Sequence, residues 1–158
     1  MRKLADPFMA LAIREAKTGM RLNHGGPFGA VITRGGRVIA KAHNQVLKNN
    51  DPTAHAEVQA LRKAARKLRR HDLSDCEIYT TCEPCPMCFS ALFWARISRI
   101  VYGCSRYDAA KIGFDDELIY QILNGQTRQK QMEVLSLDRE RCLDLFSQWQ
   151  EKSDRQMY

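Results

Sequence analysis

Two short motifs constrain this chain more than any other feature: His55-Ala56-Glu57, and further on Pro84-Cys85-Pro86-Met87-Cys88. Cys85 and Cys88 lie three apart at the start of a predicted helix, so both sulfurs fall on one side of it. A helix N-terminus carries partial positive charge and free N–H groups, which favour thiolates. Two thiolates and the imidazole of His55 make three zinc ligands. The fourth tetrahedral position is left for water, the pattern of a catalytic rather than a structural zinc. Glu57 is the telling neighbour. On a regular helix, residues two apart point to nearly opposite sides, so His55 and Glu57 converge only if the first turn or the loop entering it is irregular. A carboxylate beside metal-activated hydroxide takes a proton and later delivers it to a leaving group.

Blander readings exist for each motif. Cys-x-x-Cys alone fits a redox pair, but that leaves the prolines at 84 and 86 and the His-x-Glu pattern unexplained. A structural zinc wants four protein ligands, and Cys82 could supply the fourth. The combination His-x-Glu with Pro-Cys-x-x-Cys is the signature of zinc nucleobase deaminases.

The rest of the chain frames these motifs. Asp6-Pro7 reads as an N-cap and first helical position, opening a helix that ends near Gly19. Two β-like runs, Phe28 to Thr33 and Arg37 to Ala42, flank an Arg34-Gly35-Gly36 turn. Val58, Leu61, Ala65 and Leu68 line one face of a helix from His55 to about Arg70. Strands are predicted over Glu77 to Thr81, Arg99 to Gly103 and Gln131 to Ser136. Helices are predicted over Cys85 to Arg96, Asp116 to Leu123 and from near Asp138, the last carrying Leu143, Phe146 and Trp149. Strands alternating with helices after an opening hairpin predict a mixed α/β sheet with helices on both faces. At 158 residues, without repeats or linkers, one domain is the simplest division.

Charge and cysteine content bear on partners and compartment. The net charge is +7, with a pI of about 9.3. Arg62-Lys63, Arg66-Lys67 and Arg69-Arg70 concentrate it at helical spacing. That is either a solvated helix face or a nucleic-acid contact, and no aromatics interleave for base stacking. No apolar run approaches the ~18 residues of a membrane span. Met1 to Pro7 lacks the apolar core of a signal peptide, so the cytoplasm is expected. In a reducing compartment, close cysteines read as metal-binding or redox-active rather than disulfide-bonded.

At this point the sequence resembles the cytidine-deaminase-like superfamily, and within it the small bacterial guanine deaminases. The resemblance rests on Gly25-Gly26-Pro27-Phe28-Gly29-Ala30-Val31, on Asn49 through Glu57 and on Cys82 through Cys88. Trp94-Ala95-Arg96, Gly113-Phe114-Asp115-Asp116 and the terminal Tyr158 point to the guanine branch. It implies a three-layer α/β/α sandwich around a mixed five-stranded sheet. It implies a homodimer whose C-terminal segment (about 138–158) is swapped onto the partner, and hydrolysis of guanine to xanthine and ammonia. His55, Cys85 and Cys88 would hold one zinc per subunit. Glu57 would shuttle protons and Asp116 would assist at the departing amine. Asn44 would bind the base, the Ala56 backbone would contact the ring, Phe28 and Trp94 would wall the pocket, and Tyr158 would close the neighbouring site. From the residues alone, Asp115-Asp116 reads equally as a helix-capping pair and Asn44 as a turn residue. Arg106-Tyr107-Asp108 and the 126–131 stretch depart from the family.

Competing functions are a tRNA-specific adenosine deaminase, which the basic charge favours, and a guanosine, triazine or pyrimidine deaminase on the same scaffold. A non-catalytic zinc module that binds nucleic acid would leave Glu57 without a role.

Overall fold

Asp6 sets where the first helix starts. Its carboxylate accepts the N–H groups of Phe8 and Met9 at 2.9 and 3.0 Å, and Pro7 occupies the first helical position, so α1 runs Pro7–Arg21. The structure is a computed structural model that describes residues 6–128 and 132–157. The chain divides into two compact units, Met1–Tyr120 and Gln121–Tyr158.

In the first unit, β1 (Gly29–Arg34) and β2 (Arg37–His43) form an antiparallel hairpin. Gly35 and Gly36 both have positive φ, 52° and 74°, the backbone that a two-residue hairpin turn of the right twist requires. The short α2 (Val46–Asn49) precedes α3 (Ala56–Leu68). Then come β3 (Glu77–Cys82), α4 (Pro86–Trp94) and β4 (Arg99–Cys104). β3 and β4 are parallel, so the chain must cross over between them, and α4 is that crossover. The sheet order is β2-β1-β3-β4, with β1 antiparallel to both its neighbours. α5 (Arg106–Lys111) and α6 (Glu117–Leu123) follow.

Side-chain alternation divides the core between the two sheet faces. Ala30, Ile32 and Ile78 pack with Ala56, Ala60, Leu61 and Ala64 of α3 and Leu92 of α4. Val31 and Tyr79 pack with Ala12 and Phe8 of α1. β1 is therefore buried on both faces, and the sandwich is the expected three-layer one. Alanines along the inner face of α3 let that helix lie close to the sheet.

The sheet has four strands among the described residues, against five expected. Gln131 lies outside the described residues, and Met132 to Ser136 form no strand. A strand exists by pairing, and 121–157 contains no strand among its described residues. α7 (Arg139–Glu151) follows there, and no described residue of this stretch is buried. No helix among the described residues is long and apolar enough to cross a membrane.

Candidate active site

Two helix N-termini meet at the site. His55 is the N-cap of α3 and Cys85 the N-cap of α4, both in extended conformation and neither using its side chain to cap. A serine or aspartate there would satisfy the helix; these two residues leave their side chains free for another partner. The extended backbone at His55 also resolves the geometric puzzle of His-x-Glu. His55 stands outside the helix while Glu57 is inside its first turn, so the opposite-sides rule for helical residues does not apply. At α4, Pro86 takes the first helical position and Cys88 falls in the first turn, one helical step from Cys85.

His55, Cys85 and Cys88 come together with their ligand atoms all within 4.8 Å of one another. His55 Nδ1 lies 3.6 Å from Cys85 Sγ and 3.4 Å from Cys88 Sγ. Zinc bonds of about 2.3 Å to sulfur and 2.0–2.1 Å to nitrogen, at tetrahedral angles, put S···N edges at about 3.6 Å. The cluster fits zinc on both distance and donor type. A hydrogen bond from Cys88 leads in bringing the Cys85 thiol down to about 4, with His55 adding and burial opposing. Cys85 is thus held as the anion that a metal needs. Cys88 is pushed up, first by sharing that bond and then by burial. His55 is raised, chiefly by its hydrogen bond to Cys85.

Cys82 is not a fourth ligand. It sits at the end of β3 with Sγ 3.7 Å from the Ser105 carbonyl, and burial leads in pushing its thiol up to about 11.

Glu57 is 6% exposed, and burial raises its carboxyl above the ordinary value, with the Cys85 charge adding. It lies within hydrogen-bonding reach of Cys88. Asp116 is half-buried just before α6. Burial and then the charge on Cys85 raise it, so it senses the cluster electrostatically. The helix-capping task falls to Asp115, whose Oδ1 accepts the Glu117 N–H at 2.9 Å.

Asn44 is buried and follows β2. Its Oδ1 accepts the Val46 N–H at 3.1 Å and its own N–H donates to the Phe28 carbonyl at 3.0 Å. With Oδ1 engaged, Nδ2 is the end that can donate to a ligand. Ala56, fully buried, is the first residue of α3, and its N–H has no intrahelical acceptor. Phe28 meets Phe114 edge-to-face at 4.9 Å between ring centres, which adds Phe114 to this wall. Trp94 is not brought to the cluster within the chain. It ends α4, about 13 Å along the axis from Cys85, and is 65% exposed. Tyr158 lies outside the described residues.

Two features escaped the sequence reading. Arg106-Tyr107-Asp108 is the first turn of α5, closed by a capping box between Ser105 and Asp108, and Ser-x-x-Asp was its legible signal. Arg106 stacks over Tyr120 at 4.1 Å and donates its N–H to Glu83, two residues before Cys85. The basic face of α3 is also largely spoken for. Lys63 and Lys67 donate to the Lys41 and Ile39 carbonyls of edge strand β2, each at 3.0 Å. Arg62 pairs with Asp51 at 3.6 Å and Arg70 with Asp75. The lysines cover an otherwise open sheet edge.

Residues 2–104 match the family model of the cytidine and deoxycytidylate deaminase zinc-binding region. The chain is similar to guanine deaminase of Bacillus subtilis, 40% identical over 97% of this chain and 98% of that protein. It is also similar to the tRNA-specific adenosine deaminase of Aquifex aeolicus, 44% identical over 61% of this chain and 63% of that one. Among solved structures it superposes on Bacillus subtilis guanine deaminase with a TM-score of 0.92, at 39% identity over 99% of both chains. It superposes on guanine deaminase of Nitrosomonas europaea with a TM-score of 0.66, at 35% identity over 73% of this chain and 68% of the other.

Proposed function

We infer the reaction from one premise: the chain belongs to the cytidine and deoxycytidylate deaminase family. It is a zinc-dependent aminohydrolase, and we propose guanine as its substrate, with water entering and xanthine and ammonia leaving. The observation that carries the substrate is the extent of the similarity. The match to a guanine deaminase runs over 97% of the chain, whereas the match to a tRNA-specific adenosine deaminase covers 61%. The engaged basic residues of α3 and of the turn after it weaken the case for nucleic acid further, because Lys63, Lys67, Arg62 and Arg70 already have partners.

His55, Cys85 and Cys88 are the residues that would hold zinc, which supplies the Lewis acidity that makes water a nucleophile near neutral pH. Glu57 takes a proton from the attacking water and delivers it to the amine nitrogen at C2, which must be protonated before it can leave. Its burial supports this role, since a raised carboxyl accepts and returns a proton more readily than an exposed one. Asp116 accepts a hydrogen bond from that amine and steadies it as it departs. Asn44 Nδ2 donates to an acceptor on the base, the Ala56 N–H contacts the ring, and Phe28 packs against its face.

A homodimer is part of this reading. The segment 138–158 crosses to a partner subunit, where Tyr158 closes the pocket. Support comes from the exposure of Leu145, Phe146 and Met157. Trp94 acts from its exposed position where a second subunit's site reaches it.

The test is ammonia release by the zinc-loaded protein from guanine, guanosine, adenine, cytosine, cytidine, ammeline and a tRNA anticodon stem-loop. Turnover of guanine with little from the stem-loop is the expected result. Turnover of the stem-loop alone overturns it.

A further inference from the structure

Three ionisable side chains outside the zinc cluster form a continuous chain beside Asn44, and the proposed chemistry uses none of them. Glu15 of α1 places Oε2 3.3 Å from Nδ1 of His43, the last residue of β2. Its other oxygen, Oε1, lies 3.0 Å from Lys41 Nζ. His43 Nε2 in turn lies 2.9 Å from Nδ1 of His24, in the loop after α1. His43 is buried, and Glu15 and His24 are half-buried.

Valence fixes the direction of this chain. Burial raises the Glu15 carboxyl, but Lys41 and His43 more than offset it, so it stays ionised and can only accept. In the neutral tautomer that donates to Glu15, His43 carries its proton on Nδ1, which leaves Nε2 as an acceptor. His24 must therefore donate from its own Nδ1. One carboxylate thus sets the tautomer and ring orientation of two histidines.

The loop that carries His24 lies against the amide that follows His43. The His24 carbonyl accepts the N–H groups of Leu47 and Lys48 at 3.0 and 3.2 Å. The loop after α1 is thereby fastened to His43 by side chain and to the 44–48 segment by backbone. A Cβ on Gly25 would stand 2.0 Å from Asn44 Oδ1, so the loop backbone presses directly on that amide. A Cβ on Gly19 would stand 2.7 Å from the His43 ring, so the ring fills the place a side chain there would take.

We propose that His24, His43 and Glu15 are positioning residues for Asn44. They clamp the loop at Gly25 against its amide and so fix the direction in which Nδ2 meets the base, without touching base or metal. This rests on the reading that Asn44 binds the substrate.

The test is steady-state kinetics of the full-length, zinc-loaded enzyme with guanine. His24→Ala removes the donor, and KM rises about tenfold, the value of one aligned hydrogen bond, while kcat stays within about threefold and zinc content is unchanged. His24→Asn returns an N–H close to the place of Nδ1, and KM recovers to within about threefold of wild type. Glu15→Ala breaks the chain at its far end and gives the same KM signature as His24→Ala. Adding His24→Ala to Asn44→Ala costs nothing further in KM, because the amide it positions is gone. An undiminished His24 effect in that background overturns the inference. So does equal damage by His24→Ala and His24→Asn, which marks a merely structural role. If Asn44→Ala raises KM and His24→Ala does not, the positioning role alone fails. If Asn44→Ala leaves KM unchanged, the base-binding reading of Asn44 falls and the inference falls with it.

Discussion

Leu92 and Leu145 are the same side chain on helices of the two units, yet Leu92 is 1% exposed and Leu145 62%. Leu92 lies in α4 against the sheet, among Ile78, Leu73 and the alanines of α3. Leu145 lies in α7 with Phe146 also open to solvent. The first unit closes its core with its own residues, and the site stands on that closed core. The second unit carries apolar side chains that its own residues do not bury. Such surface usually marks an interaction site. Under the proposed function the difference separates two tasks: residues 6–120 hold the chemistry, and residues 121–157 offer a surface for assembly.

The sharpest way to break that separation is at Glu57. Glu57→Gln keeps the shape of the side chain and removes its ability to carry a proton. Turnover should fall about 10³-fold, with zinc content and melting temperature unchanged. Undiminished turnover with zinc retained would remove Glu57 from the proton path.

Next in size is the leucine pair itself. Leu92→Ala should destabilise the protein by about 3 kcal/mol, because a packed site cannot fully collapse. Leu145→Ala, read in the dilute monomer by denaturant unfolding, should cost less than about 0.5 kcal/mol. Equal losses at the two positions would dissolve the distinction between the units.

Phe146→Glu tests what the second unit is for. If it is an assembly surface, a buried aromatic replaced by a charge should weaken the dimer about 30-fold or more, read by sedimentation equilibrium across protein concentration. Zinc content should be untouched. A dimer of unchanged affinity would mean that this face lies outside the interface.

The first unit was also the more legible one, for a physical reason. Its elements are set by local chemistry that is written in the sequence: Asp6 and Pro7 at a helix start, paired glycines at a hairpin, three-and-four spacing along α3, prolines ahead of α4. The metal cluster was legible because three ligand types at fixed spacings have few other uses. The boundary at His55 was harder. Placing the helix start one residue later, at Ala56, moves His55 into an extended N-cap, and that single step makes the His-x-Glu pattern workable. The Glu15–His43–His24 chain left no sequence signal, since its members meet only when α1 folds onto the hairpin. Met132 to Ser136 carries strand-like residues, but pairing is a tertiary property and the pattern alone cannot supply a partner. The basic face of α3 left two readings open for a related reason: charge is visible in a sequence, whereas the carbonyls of β2 that absorb two of its lysines are not.

The smallest expected effect lies wholly within the first unit, and its pH dependence gives it a signature. Asp72, in the connection between α3 and β3, accepts the Ser74 N–H at 2.9 Å and the Arg96 guanidinium at 2.9 Å. Arg96 follows α4 in left-handed conformation, φ 59°, so the contact ties the end of the helix that carries the cysteines to the connection ahead of β3. Hydrogen bonds from Ser74, and then from Arg96, bring the Asp72 carboxyl from 3.8 down to about 2. A carboxyl depressed on folding binds fewer protons in the native state than in the unfolded one. Its stabilisation is therefore fully present above the unfolded value and is lost as pH falls through the folded value. Asp72→Asn should lower the melting temperature slightly at neutral pH, and the gap from wild type should close between about pH 4 and pH 2. Dimer affinity should not follow, because the contact belongs to the first unit alone. A gap that stays constant down to pH 2 would mean that Asp72 acts through shape rather than charge. Loss of the dimer alongside it would mean that the two units are not separable in the way Leu92 and Leu145 suggest.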